Sequence, residues 1–104
     1  MVFLFNSSGT HIANLVNGHL HAPDGHNIGH YLEKEGIFID MSGRYLGEIV
    51  HKNRLMFKKN SPYRSVSFGS YGNYGNVGNY GNPGNVGRVG TVSGYEDIPV
   101  ARIK

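Results

Sequence analysis

The chain has 104 residues, the size of one small domain. Hydrophobic residues make up 38% and charged residues 16%, so the surface must draw its polarity from Gly, Asn, Ser, His and Tyr. Without cysteine there is no disulfide framework, thiolate zinc site or cysteine nucleophile, and a formal charge of +3 is too mild to call for a nucleic-acid partner.

The chain opens on Met1-Val2-Phe3-Leu4-Phe5, which is apolar but lacks the basic region and long apolar stretch of a signal peptide. No run approaches the roughly 18 apolar residues of a membrane span. A soluble, cytoplasmic protein is the expectation.

Four segments then align without internal gaps: residues 3–15, 19–31, 37–49 and 55–67. The turn position holds Gly9, Gly25, Gly43 and Ser61. Five residues before it stand Leu4, Leu20, Phe38 and Met56. Three after it stand Ile12, Ile28, Leu46 and Arg64, followed by a small residue each time: Ala13, Gly29, Gly47 and Ser65. Each unit reads as a β-hairpin, a short apolar run, a polar turn and a second run. Glycine at the turn supplies a backbone conformation that other residues resist. Asn17-Gly18 signals a tight turn between the first two units, and residues 33–36 and 51–54 do the same later. Eight short antiparallel strands are predicted. The recurring small residue implies a bend, a bulge or a close backbone approach, as of four hairpins meeting around an axis.

The rhythm of Ile37-Phe38-Ile39-Asp40-Met41-Ser42-Gly43-Arg44-Tyr45-Leu46-Gly47 resembles the bacterial 4-fold β-flower domain. The resemblance covers residues 1–68. It implies four hairpin petals in a shallow, pseudo-fourfold, all-β arrangement. That family supplies no catalytic residues, and the fourth unit departs from its pattern at Ser61 and Arg64.

From residue 69 the texture changes. Glycine occupies every third position: Gly69, Gly72, Gly75, Gly78, Gly81, Gly84, Gly87 and Gly90. A flexible linker needs no such phase. The period is that of an extended, polyproline-II-like chain, which at about 3.1 Å per residue would reach on the order of 65 Å. The preceding domain should be only about 25–30 Å across. The tract therefore projects as a stalk, packs on copies of itself with Asn amides bonding between chains, or folds back. A disordered low-complexity tail is the plainer alternative. Within it, residues 86–92 match the second-strand pattern and could replace the weak fourth petal strand. In residues 95–104 a short edge strand is predicted over 100–103, limited by Pro99.

Six histidines raise the question of metal. His19 and His21 alternate on one strand face, but they replace Phe3/Phe5 and Ile37/Ile39 of the other units, and no recurring carboxylate or ligand spacing joins them. They read as half-exposed polar residues and are at most weak metal candidates. Asp24 and Asp40 serve turns rather than acid–base chemistry. No nucleophile elbow or phosphate-cradling helix start is present. Arg54, Lys58 and Lys59 form the local basic cluster, a possible patch for an anionic partner.

The expectation is an all-β domain over residues 1–68, a glycine-triplet tract over 69–94 and a C-terminal strand over 95–104. No cofactor is called for. The expected role is a non-enzymatic, homo-oligomerising interaction module with the tract as its assembly element. The alternative is a module for an anionic ligand, membrane surface or nucleic acid.

Overall fold

The computed structural model describes residues 1–103. The alternating runs form β1 (Val2–Phe5), β2 (His11–Val16), β3 (His19–His21), β4 (Asn27–Leu32), β5 (Ile37–Asp40), β6 (Tyr45–Val50), β7 (Arg54–Lys58) and β8 (Tyr95–Asp97). Strands β1 to β7 pair in chain order as an antiparallel meander, and β1 also pairs with β7 to close a barrel. Seven alternating strands leave the first and the last pointing the same way. The seam is therefore parallel, not antiparallel as expected: Phe5 faces Arg54, and the Phe5 N–H donates to the Asn53 carbonyl at 2.9 Å.

Three hairpins repeat one geometry. In each, the turn glycine N–H donates back three residues, Gly9 to Asn6, Gly25 to Ala22 and Gly43 to Asp40, at 2.9–3.1 Å. The register slips by one residue between Leu4 and Phe5, between Leu20 and His21, and between Phe38 and Ile39. These are equivalent positions, so the bulge belongs to the unit rather than to any one strand. Side chains at the turns reinforce it. Asn6 Oδ1 accepts from the N–H groups of Ser8 and Thr10 and from the Ser8 hydroxyl. Asp40 Oδ1 does the same for Ser42 and Arg44.

Leu4, Leu20 and Phe38 point inward from the first strand of each hairpin and meet Ala13, Ile28, Leu46 and Leu55 in the core. Burying them supplies most of the driving force, at roughly 25 cal/mol per Å² of apolar surface. A second cluster, Ile37, Ile39 and Tyr45, lies on the other face of β5 and β6, with Phe57, Tyr63, Phe68 and Tyr71 packed on it. The Tyr45 hydroxyl donates to Glu48 at 2.7 Å and accepts from the Lys58 N–H. Burial, then the Glu48 carboxylate, pushes this phenol well above its usual range.

The small residues Gly29 and Gly47 mark close approach between successive hairpins. A Cβ at Gly29 would fall inside contact distance of the Ile39 carbonyl, and one at Gly47 would stand 2.6 Å from the Met56 carbonyl.

The fourth unit starts like the others and then opens. Ser61 N–H donates back to Lys58, as the turn glycines do. Residues beyond it then leave the sheet, keeping only an isolated bridge between Ser67 and Arg44. The vacant edge of β7 is taken by β8, with Met56 opposite Asp97. Residues 86–92, a candidate for this place, form no strand. Residues 100–103 also depart from the expected strand. Val100–Arg102 is one turn of 3-10 helix, and flanking Ile98 and Ile103 enter the main core.

Because the Gly29 site has no room for a methyl group, Gly29→Ala should destabilise the protein by about 2–3 kcal/mol in urea unfolding. Gly72→Ala, in open space, should stay within about 0.5 kcal/mol of the parent.

Candidate functional site

The glycine tract does not project. The molecule measures 35 × 34 × 24 Å, well short of an extended tract. Residues 69–94 instead run along the tips of the hairpins. Phe68 N–H donates to the Gly43 carbonyl at 2.9 Å, Val77 N–H to Gly25 at 2.9 Å and Val86 N–H to Gly9 at 3.1 Å. The donors are nine residues apart each time (68, 77, 86), and the tips are visited in reverse chain order. Tyr71 and Val89 add bonds to Met41 and Ser7, each two residues before a tip glycine. The circuit ends at β8, where the Lys59 N–H meets the Gly94 carbonyl at 2.9 Å. A tight turn could have joined β7 to β8 there. The intervening residues make the tour of the tips instead.

The tip glycines fit this contact. A Cβ on Gly25 would overlap the Val77 carbonyl, one on Gly43 would overlap Gly69, and one on Gly9 would stand 2.6 Å from Gly87. Gly25 also has φ near +103°, strained for any side chain.

The backbone of the tract is not a regular polyproline-II helix. Gly69, Gly75, Gly81, Gly84, Gly87 and Gly90 all have positive φ, which such a helix excludes. Asn73, Asn79, Asn82 and Asn85 each accept, through Oδ1, the N–H of the glycine two residues on, at 2.6–2.8 Å. Four of the five Gly-Asn-X triplets thus fold their asparagine back on the next glycine.

The third residues alternate. Tyr71, Val77, Pro83 and Val89 are half-buried, whereas Tyr74, Tyr80 and Val86 are 58%, 43% and 43% exposed. A six-residue repeat of inward and outward side chains therefore overlies the three-residue glycine repeat. Between the first two tips the tract spans an open cleft of about 660 Å³, lined by Thr10, His11, Pro23 and Asp24 on one side and Asn79, Asn82 and Asn85 on the other.

Three long-range groups tie the belt and the C-terminal segment to the barrel. Arg54 is buried, and its guanidinium donates to the carbonyls of Gly87 at 2.7 Å and Asn6 at 3.1 Å. It is therefore a structural tie between tract and first hairpin, and an anion reaching this corner meets Lys58 and Lys59 without it. Asp97 of β8 accepts both the N–H and the hydroxyl of Ser7, at 2.8 and 2.6 Å. Arg102 pairs with Asp40 at 3.0 Å and also donates to the Tyr45 carbonyl. Burial pushes the Asp40 carboxyl up, but bonds from Ser42, Arg44 and Arg102 outweigh it and hold the group below its usual range. At the exposed second tip the His26 N–H, then its imidazole, holds Asp24 low in the same way.

His19 is half-buried, as the sequence suggested, but His21 is not. His21 is fully buried rather than half-exposed, and its Nδ1 lies 2.9 Å from the Gly25 carbonyl. His19 pairs with His30 across the β3–β4 ladder, Nδ1 to Nδ1 at 3.2 Å. Among the described residues no group of three or more His, Asp or Glu side chains is gathered to hold a metal ion. No family model, curated protein or solved structure matches this chain.

Gly25→Ala should lift the tract from the second tip while leaving the barrel folded. Limited chymotrypsin digestion should then cut after Tyr74 and Tyr80 about tenfold faster or more than in the parent, the change expected when roughly 1.4 kcal/mol of local protection is lost.

Proposed function

We propose that this chain is a non-enzymatic interaction module, built on the four-petal plan of the β-flower domain, that associates with copies of itself through its glycine tract. The observation that carries the reading is the outward row of Tyr74, Tyr80 and Val86. Of these, Tyr74 also stacks on His19 of the barrel, whereas Tyr80 and Val86 turn their side chains outward, so these two form the surface offered to a partner. Apolar side chains repeated at a fixed spacing on a surface element are suited to a partner with a matching repeat. A second copy of the same chain carries that repeat. The tract backbone is closed on itself by Asn–Gly bonds, so a partner would meet side chains rather than open backbone edges.

A small core adds to the case. The barrel relies on one cluster of ten buried residues and a second of three, together with the belt, and domains of this size gain stability from association.

The test is multi-angle light scattering over a wide concentration series, comparing the parent with Tyr80→Ser/Val86→Ser. The parent should show an assembly, and the variant a monomer with unchanged far-ultraviolet circular dichroism. A parent that is monomeric throughout, or a variant of unchanged size, would contradict the reading.

A further inference from the structure

Where the tract crosses the second hairpin, its contact is aromatic. Tyr74 stacks on His19 with ring centroids 3.8 Å apart and meets His30 edge-on at 5.0 Å, while Tyr71 lies 4.8 Å from His30. The corresponding outward faces of the other hairpins carry Phe3 and Phe5, and Ile37 and Ile39. Here the tract stacks directly on side chains of the type that titrates near neutral pH.

The proton inventory of the pair is narrow. The His19 and His30 Nδ1 atoms are 3.2 Å apart, so one must donate and the other accept. His30 is 3% exposed, and its Nε2 is buried with no hydrogen-bond partner among the described residues. The neutral arrangement that leaves no orphaned N–H has His30 donating through Nδ1 and keeping a bare Nε2. A proton added to His30 creates a buried N–H and charge with no acceptor. A proton added to His19 at Nδ1 opposes the one already on His30. Moving the His30 proton to Nε2 relieves that clash only by orphaning it.

We propose that the His19–His30 pair is a proton-operated catch, which holds the tract on the second hairpin when neutral and releases residues 71–77 when protonated. The titratable groups facing His30 are His19 and His21 of β3 and Tyr71 and Tyr74 of the tract. Its cross-strand neighbour on β5 is the apolar Ile39. No carboxylate stands among these groups to balance the added charge. Burial first, then His19 and His21, holds the His30 imidazole below its usual value of 6.5. The released state therefore takes the proton first. The contribution of the catch is full above about 6.5 and is lost as pH falls from there toward the lower docked value. Release uncovers the half-buried Tyr71 and the face of Tyr74 that rests on His19. The catch concerns docking within one chain and stands whether or not the chain self-associates.

Hydrogen exchange on the full chain, corrected for the intrinsic pH dependence of exchange, reads the catch directly. Between pH 7.5 and 5.5 the protection of the Tyr71, Tyr74 and Val77 amides should fall about tenfold, the effect of one pH unit of proton linkage. The Val86 and Val89 amides, held at the first hairpin, should hold constant. His30→Phe, which keeps a ring beneath Tyr71 and Tyr74, should abolish the pH dependence. Should that variant fail to fold, the imidazole proton resonances of the parent decide by themselves. They should shift over the same pH range as the loss of protection. Protection unchanged by pH, or a loss that persists in folded His30→Phe, would overturn the proposal.

Discussion

Three carbonyl groups, those of Gly9, Gly25 and Gly43, stand at hairpin tips where no neighbouring strand reaches them. Each accepts an N–H from the tract, at Val86, Val77 and Phe68 respectively. Backbone polar groups need partners wherever packing shuts out water, and here the partner comes from a segment remote in sequence. That requirement accounts for the phase of the tract. A contact every nine residues and a side-chain alternation every six are both multiples of three, so one Gly-Asn-X triplet can serve both. Glycine stands where the backbone turns or meets a tip, and asparagine secures the turn.

The circuit also explains the fate of the fourth hairpin. Its second strand could have followed directly after Ser61, as in the other units. Instead the chain leaves, passes the third, second and first tips, and returns as β8 to the edge left open on β7. Ile98 and Ile103 then complete the core, while Asp97 and Arg102 bind the first and third hairpins. Barrel, belt and C-terminal segment are thus tied together by hydrogen bonds between residues remote in sequence. Removal of everything after residue 68 would expose the β7 edge and leave Arg54 without the Gly87 carbonyl.

The repeat was legible in the sequence because its determinants are local. A turn glycine, an apolar residue five before it and a small residue four after it fix a hairpin without reference to anything distant. The parallel seam was not, because it follows from the number of strands that join the barrel. That number depends on where the fourth unit stops, and Ser61 begins its turn like the others. The path of the tract was legible only as a period. Three-residue phase is shared by an extended helix and by a belt of turns. Choosing between them requires the positive φ of six of the eight triplet glycines, which glycine permits but does not announce. Arg54 and His21 were misjudged for one reason. Polar residues read as surface, yet each is buried against carbonyls that the fold brings to it. The pairing of His19 with His30 was hidden by the hairpin register, although both residues stood out as histidines in one unit.

These features make the tip-and-belt contact the organising element of the molecule, and both the outward row of Tyr74, Tyr80 and Val86 and the stacking of Tyr74 on His19 rest on it. Through-hydrogen-bond scalar couplings in the isotopically labelled full chain test the contact most directly. The account predicts couplings from the Phe68, Val77 and Val86 amides to the Gly43, Gly25 and Gly9 carbonyls, together with slow exchange of those amides. Absence of all three couplings, with tract resonances at random-coil positions, would contradict it.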